Sequence, residues 1–364
     1  MLEDLIRTWD GEQVVVRFDR ATGSWMFICI HSRRRGPACG GTRLKTYPDL
    51  ADAMADAMKL STAMTLKMAV ADMPFGGGKA VLAVPATLSE GQRHDLILRY
   101  ADLVASLGGS FQTGPDINTS IADMDLISER CPYVVCRSVE RGGSGDPGKY
   151  TARGVFHGIR ASVNKAFGSP ELEGRTVLVQ GVGDVGSRLA EQLAAAGARV
   201  LVSDVAQDRV QRLVAAIDAK PVPVEETIGT KCDVYSPCAL GGSLNAGTIP
   251  RLRCRIVAGS ANNQLAEPQQ DADRLRAVGI LYAPDFVINA GGVLYAWGLE
   301  ALGWSRETIE VRHRGIGDTL AEIYAAADRE GITTEAAATR MAIARLDAAE
   351  GRAMSEEEAS LSEP

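Results

Sequence analysis

The chain has 364 residues, 46% of them hydrophobic and 23% charged, with a formal net charge of -7. That length exceeds what one hydrophobic core usually serves, so two domains of roughly 150 residues are expected. The acidic balance argues against nucleic acid or an anionic membrane surface as partner, since both reward basic patches and Arg33, Arg34 and Arg35 make only a short run.

The first residues, MLEDLIRTWDGEQ, resemble neither a secretory nor a transit peptide, and no apolar run reaches membrane-spanning length. Seven cysteines without a CxxC pair and four scattered histidines suggest neither a disulfide framework nor a metal site. A cytoplasmic protein with reduced cysteines and no metal is therefore expected.

Residues 13–31 alternate as a hairpin of two strands, with the turn at 21–24, and 37–41 breaks it. A helix is expected from 47 onward, with Asp49 as a candidate cap, Leu50, Met54, Met58, Met64 and Met68 among its apolar positions and Lys67 near its end. Gly76, Gly77 and Gly78 then form a turn before the strand-like KAVLAV. Lys79, reached through backbone without side chains, reads either as a solvated lysine after a turn or as a group that a ligand must approach closely.

A second amphipathic helix is expected over 94–107, and 112–120, QTGPDINTS, is loop-like. Asp116 in that loop reads as a helix cap, an Asx turn or a functional carboxylate. The glycine and proline stretch 141–148 is the best hinge.

The most diagnostic local signal follows. The apolar run RTVLVQ leads at once into GVGDVG, the helix-like SRLAEQLAAAGA, and the strand RVLVSD ending at Asp204, eighteen positions after Gly186. In that context Gly181 permits the tight turn, Gly183 the approach of a pyrophosphate and Gly186 the close packing of helix on sheet, while the helix start offers unpaired N–H groups. Asp204 accepts from the ribose hydroxyls and repels a 2′-phosphate, so NAD is the expected cofactor. Strand and helix alternate onward, 309–349 is helical in pattern, and the tail SEEEASLSEP is polar, acidic and expected to be disordered.

The blocks GGTRLKTY, AMTLKMA, GGGKAV, TGPDINTS, GVGDVG, SPCALGG, GSANNQL and YAPDFVINAGG occur in the order found in the amino acid dehydrogenases of the glutamate, leucine, phenylalanine and valine family, which this chain resembles over most of its length. The resemblance implies a two-domain α/β fold, with an N-terminal α/β substrate domain and a Rossmann-type doubly wound NAD domain separated by a cleft. The first is expected over 1–140, rejoined by C-terminal helices at about 315–350, the second over 141–314, and a disordered tail over 351–364. It also implies NAD-dependent, reversible oxidative deamination of an apolar L-amino acid to a 2-oxo acid and ammonia, by a homo-oligomer.

Carried over by resemblance, Lys67 and Asn289 bind the substrate carboxylate with Gly40 beside them, Lys79 is the catalytic lysine and Asp116 the acid/base aspartate. Asp184, Val185, Cys238, Ala239, Ala261 and Asn262, with Asn263 as an alternative to the last, join the glycines and Asp204 at the cofactor. The chemistry agrees: a carboxylate calls for a cation, and an oxidised carbon attacked by water calls for a base. Lys79, near the positive Lys67, is expected to give up its proton readily, and Asp116 to pass protons to the nitrogen.

Cys39, Gly114, Val293 and Ala296 match side-chain pocket positions that hold leucine, alanine, valine and valine in leucine-type relatives. Smaller residues leave room, so phenylalanine is expected first, ahead of leucine, valine or tryptophan.

Overall fold

The computed structural model describes residues 2–361. The chain divides into two compact units, Met1–Asp146 with Ala296–Gly303 and Ala342–Pro364, and Pro147–Tyr295 with Trp304–Met341. The division falls after Asp146 rather than at 140.

The first unit opens on helix α1 (Leu2–Trp9), a stretch whose mixed polar residues do not announce it. Strands β1 (Gln13–Asp19) and β2 (Ser24–Ser32) form the expected hairpin, closed where Asp19 Oδ2 accepts from Thr22 N at 3.2 Å. Strand β3 (Ala38–Lys45) occupies the stretch expected to break the pattern. It carries no alternation of large apolar residues because Gly40 and Gly41 sit where backbone must come close: a Cβ on Gly40 would lie 1.8 Å from Gly78 O.

Helix α2 (Leu50–Val70) is capped by Asp49, whose side chain accepts from Ala51 N at 2.7 Å. Strand β4 (Gly76–Ala83) contains the glycine run itself, so those glycines are strand residues and not a turn. Helix α3 (Glu90–Ala105) starts before the expected position because Ser89 and Gln92 form a capping box. Strand β5 (Phe111–Pro115) and helix α4 (Ile121–Ser128) follow.

The sheet order is β1-β2-β4-β3-β5, with β3 parallel to β4 and β5. Register places Cys39 opposite Gly77 and Gly41 opposite Gly114, so by alternation Cys39, Gly41, Arg43, Gly77, Lys79, Gly114 and Asp116 share one face. Helix α2 covers part of that face: a Cβ on Gly77 would lie 2.1 Å from Thr65 N. Beside it Phe27, Cys29, Val81 and Ala83 pack on Ala53, Met54, Ala57 and Met58. Each buried phenylalanine, methionine or valine among them stabilises by about 1.5–3 kcal/mol. The opposite face is closed by Tyr100 of α3, whose hydroxyl bonds Thr42 and Thr113 at 2.6 and 3.1 Å.

The second unit runs α5 (Gly148–Phe167), β6 (Thr176–Gln180), α6 (Asp184–Ala195), β7 (Arg199–Ser203), α7 (Gln207–Ile217), β8 (Lys220–Pro221), β9 (Val234–Pro237), β10 (Ile256–Val257), α8 (Pro268–Ala277), β11 (Leu281–Tyr282) and the short α9 (Asp285–Ile288). Its strands are all parallel in the order β11-β10-β9-β6-β7-β8. The chain therefore winds outward both ways from β6, and the β6–β9 gap is the topological switch point at which doubly wound sheets hold ligands.

Helices α10 (Gly291–Glu300), α11 (Arg306–Glu330) and α12 (Thr334–Leu361) complete the chain. The expectation that 315–350 rejoins the first unit is corrected in part: of that stretch only residues from Ala342 onward do so, and Ala296–Gly303 joins them. The reason is the α11–α5 contact, where Gly154 and Gly158 admit Ile316 and Leu320, and Ser162 Oγ bonds Tyr324 at 2.7 Å. The tail is corrected in part as well. Residues 351–361, rich in alanine and glutamate, continue α12 as good helix formers, and 362–364 lie outside the described residues. Among the described residues no helix is long and apolar enough to cross a membrane.

Candidate active site

In the first unit the shared sheet face brings Lys79 and Asp116 together. Lys79 Nζ lies 2.8 Å from Asp116 Oδ2, with the two side chains 7% and 18% exposed. The sequence had paired Lys79 with the like charge of Lys67; its nearest ionic partner is a carboxylate.

A second cation, Arg43, completes the cluster. Its Nε donates to Asp116 Oδ2 at 3.0 Å and its Nη1 to Asp56 at 2.8 Å, while Tyr47 donates to the same Asp56 oxygen at 2.5 Å. Burial alone would raise the Asp116 carboxyl, but Lys79 and Arg43 outweigh it and hold it at about 2, well under its ordinary 3.8. Asp116 is thus an anion, and its N–H is tied to Thr119 Oγ1 at 2.9 Å. Its reading as a helix cap is corrected, since Ser120 caps α4.

Arg43 lies inside GGTRLKTY, where its neighbours in the chain give no sign of its partners. The usable signal was alternation from Cys39, available only once 38–45 is recognised as a strand.

Lys67 is buried at 8% exposure near the C-terminal end of α2, two residues after Thr65, which packs on Gly77. A cation suits that helix end. Gly40 turns away from this face toward the β4 backbone, which explains the glycine by strand packing.

The small residues of the face do not leave a simple void. Cys39 is fully buried, and the space beside Gly114 is taken by Val135 and by Trp297, the neighbour of buried Ala296. Burial pushes the Cys39 thiol well above its ordinary 9.0, opposed by the Trp297 indole N–H beside it.

In the second unit Gly181 adopts φ +96°, open to glycine without strain. A Cβ on Gly186 would lie 1.9 Å from Gly181 O, whereas one on Gly183 would meet only Arg209 Nη1 at 3.9 Å. The space over Gly183 is open at the start of α6, so a diphosphate fits against the backbone there. Asp184 and Val185 form the first turn of that helix. Asp204 accepts from Val182 N at 2.7 Å and Ala206 N at 2.8 Å, which fixes the loop and leaves lone pairs for ribose hydroxyls.

Cys238 and Ala239 lie directly against Gly181. Ala261 N donates to Pro237 O at 3.0 Å, joining the loops after β9 and β10. Asn289 Nδ2 donates to Ser260 O at 3.2 Å and Asn262 Oδ1 at 2.8 Å, and its Oδ1 is buried without a hydrogen-bond partner. Its amide nitrogen is thus engaged beside Asn262, while Asn263 sits at φ +50° in the same loop. Val293 is half-buried in α10.

Comparison with known proteins adds the following. Residues 13–133 match the model described as Glu/Leu/Phe/Val dehydrogenase, dimerisation domain. Residues 142–208 and 201–353 match that of Glutamate/Leucine/Phenylalanine/Valine dehydrogenase. The chain is 40% identical over 342 residues to a leucine dehydrogenase of Geobacillus stearothermophilus, covering 94% of this chain and 92% of the relative. It is 42% identical over 348 residues to a valine dehydrogenase of Streptomyces coelicolor, covering 94% and 93%. Among solved structures it is similar to an L-tryptophan dehydrogenase from Nostoc punctiforme, at 37% identity and a TM-score of 0.81, covering 96% of this chain and 99% of that one.

Proposed function

Since the chain belongs to the glutamate, leucine, phenylalanine and valine dehydrogenase family, and is thereby an NAD-dependent amino acid dehydrogenase, we propose that it deaminates the branched-chain amino acids L-leucine and L-valine. The phenylalanine preference expected from residues 39, 114 and 296 gives way to this reading. The leucine and valine dehydrogenases above are 40% and 42% identical over 94% of the chain, against 37% for the tryptophan dehydrogenase, and the indole of Trp297 stands where the small residues were expected to leave room.

The observation that supports the reaction is the Lys79–Asp116–Arg43 cluster, a lysine and a carboxylate 2.8 Å apart that can relay a proton, held in place by a second cation. Lys67 holds the substrate carboxylate as a charge-assisted partner. The loop after β6, with Gly181, Gly183 and Asp204, would hold NAD, which would supply the hydride acceptor for the substrate's α carbon. Lys79 Nζ hands its proton to Asp116 Oδ2, 2.8 Å away, and takes in its place the proton of the water that adds to the oxidised carbon. Asp116, fixed by Arg43, delivers the proton it received to the nitrogen and returns to its anion, and ammonia leaves as the 2-oxo acid forms.

Self-association belongs to the same proposal. The matched segment 13–133 is described as a dimerisation domain, and β1 is a sheet edge with Val16 and Phe18 exposed at 47% and 43%. Gel filtration of the purified protein at monomer mass would refute it.

NADH formation measured with leucine, valine, isoleucine, phenylalanine, tryptophan and glutamate tests the substrate. The expected order puts leucine or valine highest in kcat/KM. Phenylalanine or tryptophan above both refutes the branched-chain reading, and no NADH with any of them refutes the reaction.

A further inference from the structure

Gly114 stands two residues before Asp116 on the strand face that carries Lys79, so a molecule acted on by those two groups lies beside it. The volume next to Gly114 is already filled. A Cβ placed there would meet Trp297 Cη2 and Val135 Cγ2, each at 3.3 Å, and Trp297 Cζ2 at 3.9 Å. Trp297 is 5% exposed and its indole N–H lies beside the Cys39 thiol, so its ring is packed in place.

Beyond that N–H, what the indole supplies over a leucine or phenylalanine is a wide rigid plate laid over a glycine.

We propose that Trp297 is the specificity-determining wall of the substrate side-chain pocket, closing the space that Gly114 opens and limiting the enzyme to branched aliphatic side chains. The identity of the favoured substrates rests on the branched-chain reading above; the existence of the wall does not. One methylene of pocket volume changes discrimination by about 10- to 200-fold, so a whole indole is enough to separate leucine from phenylalanine.

The test compares wild type, Trp297→Leu, Gly114→Ala and the double variant, reading the ratio of kcat/KM for phenylalanine to that for leucine. Trp297→Leu is expected to raise the ratio at least about tenfold. Gly114→Ala, whose new methyl pushes the ring from 3.3 Å, is expected to lower it. In the double variant the Gly114→Ala effect should vanish because the ring it pushes is gone.

A Trp297→Leu ratio within about twofold of wild type, in a protein that still turns over leucine, overturns the proposal. So does a Gly114→Ala effect of equal size in both backgrounds. If Trp297→Leu fails to fold, Gly114→Ala decides alone, and an unchanged ratio overturns the wall. Because only changes in the ratio are read, a wild type that prefers phenylalanine refutes the branched-chain reading and leaves this test standing.

Discussion

Replacing Arg43 by methionine removes one of the two cations that hold Asp116 and leaves its volume nearly filled. At 3.0 Å the Nε–Oδ2 attraction is about 5–6 kcal/mol for an effective dielectric near 20, from which the desolvation of both charges must be subtracted. Asp56 also loses its ion pair and keeps only Tyr47.

A net loss of about 2–4 kcal/mol of stability is expected, together with a kcat decrease on the order of 10²-fold as Asp116 moves off its position. The loss depends on pH with a definite sign. The Asp116 carboxyl is held at about 2 instead of 3.8, so its contribution, worth about 2–3 kcal/mol, is fully present above pH 3.8 and disappears as pH falls through 2. In the variant that protection shrinks, and unfolding sets in at higher pH on acidification.

Urea unfolding between neutral pH and about pH 3, with kcat for leucine measured in parallel, checks this. Arg43→Lys, which keeps the charge without the fork, should restore part of both. An Arg43→Met enzyme with wild-type acid stability and a kcat within about twofold of wild type would refute the positioning argument.

Other consequences follow from the same geometry. Lys79→Ala and Asp116→Asn should each lower kcat by about 10²–10⁴-fold with NAD affinity unchanged, measurable by NADH formation and by cofactor titration. Gly186→Ala places a methyl 1.9 Å from Gly181 O, so titration should show NAD binding lost and stability reduced by about 1–3 kcal/mol. Burial, reinforced by Asp285, pushes the Glu335 carboxyl from 4.5 up to about 8. Stability should therefore decline as pH rises from 4.5 to about 8, by at most ~5 kcal/mol, and be flat above. Glu335→Gln should flatten that slope in thermal unfolding, and a variant with the same slope as wild type would exclude Glu335 as its source.

Features governed by neighbours in the chain were legible without a structure. GVGDVG between an apolar strand and a helix requires a tight turn and close backbone approach, and the glycine at φ +96° and the 1.9 Å separation at Gly186 meet those requirements. The Asp49 cap was legible for the same reason, being a contact between residues two apart. Strand β3 was not, because its glycines answer to another strand's backbone and erase the alternation by which strands are read.

The sequence by itself determined the chemistry at hand: two lysines, an aspartate and a dinucleotide loop. Tertiary structure decided how they combine. Only the β3–β5 register brings Arg43 to Asp116, only the loop after β10 turns the Asn289 amide toward Asn262, and only packing lays Trp297 over Gly114. The physical reason is range. Backbone preference and hydrophobic period act over a few residues, whereas charge partners and pocket volume are fixed by groups far apart in the chain, which sequence pattern does not pair.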